Sequence, residues 1–250
     1  SMVPLTMGAN LCQKAPTRAL VDSYLNADGS VPADKTVYAN RDPRLTATVV
    51  YNGYVWKDRN DKGEYVTKGT INVTSGNDKA GTDNGSPTGF YTRKYFDTTH
   101  GKNLEMWTNI IMMRYADVLL MYAEAINEYA GAPDDQAKEA IREIRKRAGV
   151  KTDESLLGDY RSFRDLVRNE RGRELAFEGL RKWDLIRWGT FVEKMHNAGT
   201  NQPTENKYRN VSYTNYASAN YANVTARHIY LPIPTKELAV NHALRQNPLW

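Results

Sequence analysis

The sequence predicts a mainly α-helical protein with a loop-rich region that carries short β-hairpins. Two observations predict it. From residue 106 onward apolar side chains recur at helical spacing, whereas upstream they alternate with polar ones and are punctuated by Gly, Asn, Asp and Ser. The chain therefore divides into a hairpin- and loop-bearing region, 1–105, and a helical core, 106–250.

In the first region "DPRLTATVVYNGYVWKD" alternates as a strand does, and Asn52-Gly53 is the pair preferred by a type I′ hairpin turn. Asp61-Lys62-Gly63 supplies a second turn signal. The stretch 74–89, "TSGNDKAGTDNGSPTG", holds almost nothing apolar, which predicts an exposed loop, mobile or in contact with a partner rather than packed against the helices.

In the second region Ile111, Tyr115, Val118, Leu119, Tyr122, Ala123 and Ile126 put apolar groups almost all round one helix, so it is expected to be buried and to end at Gly131. Pro133-Asp134-Asp135 opens the next helix, with Ala137, Ile141, Ile144 and Ala148 on one stripe and Gly149 as its stop. A short Gly-Pro loop between two such helices makes an antiparallel hairpin, and its small Ala residues resemble a tetratricopeptide unit. The period does not recur downstream, so a regular solenoid is not expected.

Ser162 and Asp165 have the spacing of a capping box for a helix starting at Phe163, and Gly179 separates that helix from "LRKWDLIRWG". Glu170, Glu174 and Glu178 then share one stripe, where like charges repel unless each has a partner. Arg173 lies three residues after Glu170, Arg171 three before Glu174, and Arg181 three after Glu178, which predicts a structural charge lattice clamping helices around Trp183 and Trp188. A carboxylate pair acting as glycosidase acid and base is disfavoured, because an adjacent guanidinium keeps each carboxylate ionised.

Other chemistries find little support. The net charge of +5 is interleaved with acids, as in "REIRKR" beside Glu139 and Glu143, which argues against a nucleic-acid footprint. Cys12 is the lone cysteine, so no internal disulfide forms and nucleophilic catalysis has no matched base. The four histidines are scattered without metal spacing, and no Gly-rich phosphate loop occurs. "DRNDKGEY" from Asp58 begins like a calcium loop, but Lys62 takes a ligand position and Gly69 the place of the bidentate Glu. No catalytic residue, metal or cofactor is expected.

"IIMMRYADVLLMYAEAINEYAG", "EAIREIRKRAGV", "NERGRELAFEGLRKWDLIRWG" and "IYLPIPTKELAVNHALRQNP" resemble, in this order, the C-terminal half of the RagB/SusD family of outer-membrane nutrient-binding lipoproteins. "NRDPRLTATVVYNG" and "GFYTRKYFD" resemble its loop-bearing region. The resemblance implies a tetratricopeptide-type helical scaffold at the cell surface of Bacteroides-type bacteria, binding glycan or another nutrient without chemistry as partner of a SusC-like TonB-dependent transporter. It also implies membrane contact only through an N-terminal lipid anchor, which belongs to the family's N-terminal half and is absent from this chain. The alternatives are a helical-repeat scaffold that contacts only proteins and, more distantly, a glycan-active enzyme.

If the resemblance holds, loop aromatics should stack on sugar faces while polar neighbours take the hydroxyls. Tyr24, Tyr51, Tyr54 and Trp56, with Asp58, Arg59 and Asn60 beside them, are the candidates, Trp56 foremost. "YRNVSYTNYASANY" adds Tyr208, Tyr213, Tyr216 and Tyr221.

Overall fold

The computed structural model describes residues 4–7, 12, 15–60, 62–82, 84–96, 109, 111–200 and 223–250, with the backbone alone at 197–200. The protein is mostly helical and forms two compact units, one from residues up to Gly179 and one from Leu180 onward. The expected boundary near 105 lies outside the described residues.

The first unit opens with α1 (Arg18–Ser23), whose N-cap Thr17 accepts from the Leu20 amide, and α2 (Pro43–Thr48), capped by Asp42 with Pro43 in its first turn. Four short strands follow: β1 (Val49–Val50), β2 (Val55–Arg59), β3 (Tyr65–Thr70) and β4 (Tyr91–Thr92). They pair as two antiparallel ribbons, β1 with β4 and β2 with β3.

The Asn52-Gly53 expectation needs correction. Gly53 does turn the chain, with φ of +82°, but the strands on either side do not pair with each other. Asn52 Oδ1 accepts from the Val73 amide and the Gly53 amide donates to Ile71 O, so the turn is tied to the far end of β3. The true hairpin is the later signal: Asn60 Oδ1 accepts from the Lys62 and Glu64 amides, with Gly63 at φ +79°.

The stretch 74–89 also differs from expectation. Asp78, Ala80, Ser86 and Thr88 are buried, because the Tyr91 hydroxyl donates to Asp78 O and accepts from the Ser86 amide, while Asp78 takes the Thr6 amide and hydroxyl. Hydrogen bonds order a segment whose composition offers little to bury. Two apolar clusters hold this region: Val21, Tyr24, Leu45, Val49 and Phe90 in one, Cys12, Val50, Tyr54, Trp56, Ile71, Val73 and Tyr91 in the other.

The helical part comprises α3 (Tyr115–Ala130), α4 (Asp135–Ala148), a 3₁₀ turn (Glu154–Leu157) and α5 (Tyr160–Glu174). Gly131 and Gly149 end α3 and α4 in the left-handed conformation that a side chain disfavours. The predicted stripe of α4, Ala137, Ile141, Ile144 and Ala148, is buried. Its counterpart α3 is not buried all round. Ala116, Leu120, Ala123 and Asn127 face α4 and α5, whereas Tyr115, Val118, Met121 and Tyr129 are exposed. The small Ala residues let the backbones approach on one side, and the large apolar groups are left on the other.

α5 starts earlier than the Ser162 signal suggests, because Asp159 Oδ1 accepts from the Arg161 and Ser162 amides and acts as its N-cap. The loop-bearing residues reach this helical part at Gly29, where an added Cβ would lie 2.5 Å from Lys151 O, so only glycine fits.

The second unit contains α6 (Arg181–Arg187), α7 (Phe191–Thr200), a 3₁₀ turn (Ala226–Ile229) and α8 (Thr235–Val240). No helix among the described residues is long and apolar enough to cross a membrane.

Candidate functional site

Two constellations in the first unit carry the chemistry, a buried charge lattice and a ladder of aromatic rings. The lattice is built on α5. Glu170 lies 2.8 Å from Arg173 Nη2, 2.6 Å from Arg44 Nη1 and 3.4 Å from Arg145 Nη1. Glu174 pairs with Arg44 at 2.9 Å and with Arg114 and Arg147. Glu178 accepts from Lys94 Nζ at 2.7 Å and from Arg114 Nε and Nη2 at 2.9 and 2.7 Å.

Of the pairings the sequence predicts, Arg173 with Glu170 stands, and the other two change partner. Arg171 turns to Asp117 at 2.9 Å, with Glu124 4.0 Å away, rather than to Glu174. Arg181 lies over the Trp188 ring, 5.3 Å from its centroid, with Arg187 at 4.9 Å. Trp183 is largely exposed. Arg181 does not follow Glu178 along one helix, because α5 stops at Glu174 and the chain turns at Phe177 and Gly179, both at positive φ.

Burial pushes the Glu170 carboxyl up, but the charges of Arg173, Arg44 and Arg145 more than offset that and hold it at about 2. Glu174 and Glu178 are likewise driven down against burial by hydrogen bonds from Arg44, Arg114 and Lys94. Carboxylates kept ionised in this way cannot act as general acids. The glutamate stripe signals that cations are needed. It does not name Arg44, Lys94, Arg114 or Arg147, which come from 27 to 130 residues away.

The aromatic ladder runs through the other cluster. Tyr38 and Tyr51 stack with ring centroids 3.9 Å apart and planes 20° apart. Tyr51 meets Tyr54 edge-on at 5.5 Å, Tyr54 meets Trp56 at 6.1 Å, and Trp56 meets Phe96 at 5.2 Å. Arg93 lies over Trp56, 4.8 Å from the ring centroid.

The ladder brings together Tyr51, Tyr54 and Trp56 of the predicted platform, but burial redistributes their roles. Trp56 is 0% exposed and Tyr24 0%, so neither offers a ring face to a ligand. Trp56 alternates inward along β2 and fills the cluster; the Tyr24 hydroxyl donates to Arg173 O and ties α1 to α5. Burial pushes the Tyr24 phenol up to about 12. Tyr54 is buried behind Tyr51.

Tyr51 and Tyr38 remain half-buried, as does Phe96 at the other end of the ladder. Sequence reasoning missed Tyr38, and nothing in the sequence marks it, since its stacking partner is thirteen residues away. Asp58 and Arg59 sit at the end of β2, where Arg59 lies over Tyr65, 5.0 Å from its centroid. Tyr208, Tyr213, Tyr216 and Tyr221 lie outside the described residues.

The SusD family model matches residues 6–250. SusD-like protein P25 of Formosa agariphila is 36% identical over 141 residues, which are 56% of this chain and 24% of that protein. Among solved structures, a SusD-like protein from Bacteroides fragilis superposes with a TM-score of 0.71 at 26% identity, covering 94% of this chain and 47% of that one. A SusD homolog from Bacteroides thetaiotaomicron gives 0.59 at 27%, covering 84% and 41%. A laminarin-binding SusD-like protein, 22% identical with a TM-score of 0.50 over 84% of this chain and 35% of that one, shares the fold. The chain thus spans about half the length of its solved relatives or less. With the family model matching almost its whole length, this chain belongs to the SusD family.

Proposed function

We propose that the chain is part of a cell-surface protein that binds oligosaccharide without chemistry and passes it to a SusC-like TonB-dependent transporter in the outer membrane, where the full-length form is lipid-anchored. Family membership over residues 6–250 carries this reading. The stacked Tyr38–Tyr51 pair supports it with a partly exposed aromatic surface of the kind that sugar faces prefer. Tyr54 and Trp56 then act as the backing that fixes Tyr51, rather than as contacts.

A shallow platform that touches one sugar face gives a dissociation constant on the order of micromolar to millimolar. Calorimetry against a panel of neutral oligosaccharides, laminarin fragments included, tests this, with chromatography of the recovered sugar. Saturable binding with the sugar returned intact is expected. Shortened products would make the protein an enzyme, and no binding across the panel would remove the glycan reading. The alternative of a scaffold that contacts only proteins draws on the exposed apolar stripe of α3; it expects a transporter to copurify with no effect of glycan.

A further inference from the structure

The turn Arg93–Phe96 joins the two constellations. Its backbone is fixed by the Arg93 and Lys94 amides donating to Thr48 O, at 2.8 and 3.3 Å, and by the Phe96 amide donating to Arg93 O at 3.2 Å. Its side chains divide between the two. Lys94 Nζ donates to Glu174 O at 3.1 Å, Ala176 O at 3.0 Å and Glu178 Oε1 at 2.7 Å, which uses all three protons of the ammonium at the C-terminal end of α5. Arg93 covers the Trp56 and Phe96 rings and donates to Phe96 O at 3.0 Å, while Phe96 packs edge-on against Trp56.

Between them Tyr95 has φ of +66°, a conformation that an aromatic residue adopts only when its neighbours hold it there. Lys94 on one side and Phe96 on the other are those holds.

We propose that the Lys94–Glu178 clamp positions the aromatic ladder, so that Lys94 and Glu178 are positioning residues for the sugar-facing Tyr38–Tyr51 pair although neither touches it. This rests on the proposed glycan reading for its ligand and on the geometry alone for the coupling. Without its ammonium, Lys94 loses Glu178 Oε1, Glu174 O and Ala176 O together, and only the backbone bonds to Thr48 O and Arg93 O are left to hold Tyr95 at positive φ. The turn relaxes, Phe96 and Arg93 withdraw from Trp56, and the rings stacked in sequence beyond it lose their backing.

The test uses the full chain labelled with 5-fluorotryptophan and read by fluorine NMR, the Trp56 resonance being assigned through Trp56→Phe. Lys94→Met is expected to move the Trp56 resonance and weaken oligosaccharide binding about tenfold, roughly the effect of 1.4 kcal/mol. Glu178→Gln, which keeps an acceptor and serves if Lys94→Met does not fold, should move it in the same direction by less, and Lys94→Arg should restore it. Arg147→Met, which loosens the Glu174 end of the lattice without touching the turn, should leave it in place. A Trp56 resonance unmoved by the Lys94 and Glu178 variants, or moved as much by Arg147→Met, overturns the proposal. If the parent binds no oligosaccharide, the glycan reading fails by itself and the fluorine shifts still decide the coupling.

Discussion

In the loop-bearing region the large side chains that look like ligand contacts point inward, Trp56 and Tyr24 among them, whereas on α3 the large side chains that look like core point outward, Tyr115, Val118 and Met121 among them. The two regions solve the same packing problem in opposite ways. Two-residue and five-residue strands offer few apolar positions, so the ribbons recruit aromatic rings as filling. The helix hairpin brings its backbones close through Ala116, Ala123, Ala137 and Ala140, and Leu120, Ile141 and Ile144 fill the space beside them without aromatic rings. Residue size therefore predicts burial only once the element and its neighbours are known.

The largest effect that can break this contrast is at Trp56 itself. Trp56→Ala should destabilise the fold by roughly 3 to 5 kcal/mol in urea denaturation, since it empties a fully buried ring site. A melt matching the parent would return Trp56 to the surface. Glu170→Ala should cost a similar amount, roughly 3 to 5 kcal/mol, because it strands Arg44, Arg145 and Arg173 in a buried setting.

The two faces of α3 sharpen the contrast. Leu120→Ala, on the face toward α4 and α5, should cost roughly 2 to 5 kcal/mol, while Val118→Ser on the opposite face should change stability by no more than about 0.5 kcal/mol. Equal costs in this chain would mean that the outer stripe is packed.

Acid provides a further test. The Glu170 carboxyl is held at about 2 in the folded protein against an ordinary 4.5, so its contribution is present above pH 4.5 and is lost as pH falls through about 2. The depression corresponds to stability on the order of 3 kcal/mol at neutral pH. Urea midpoints followed from pH 6 to 2 should fall, and Glu170→Gln should flatten the fall below pH 4.5.

The helices were largely legible in the sequence, because caps and stops are local: Asp134 before α4, Gly131 and Gly149 after α3 and α4. So was the need for a charge lattice, read from a glutamate stripe. Its partners were not legible, since Arg44, Lys94 and Arg114 reach α5 from distant segments, and spacing within one helix cannot identify them. Of the candidate site, Tyr51 sits half-buried in a ladder the sequence half assembled, while Tyr38 joins through a stacking contact that no pattern announces. Strand alternation, correctly seen around Trp56, did not say which side of a short ribbon would be inside.

One titration tests the account most directly: a neutral oligosaccharide that the parent binds, added to the parent, Tyr51→Ala and Trp56→Phe at a temperature where all three are folded. Tyr51→Ala should bind at least about tenfold more weakly, and Trp56→Phe, which keeps an aromatic ring in the buried position, should stay within about threefold of the parent. If Trp56→Phe abolishes binding while Tyr51→Ala binds as the parent does, the sugar meets the indole, and the division between inner backing and outer contact is wrong.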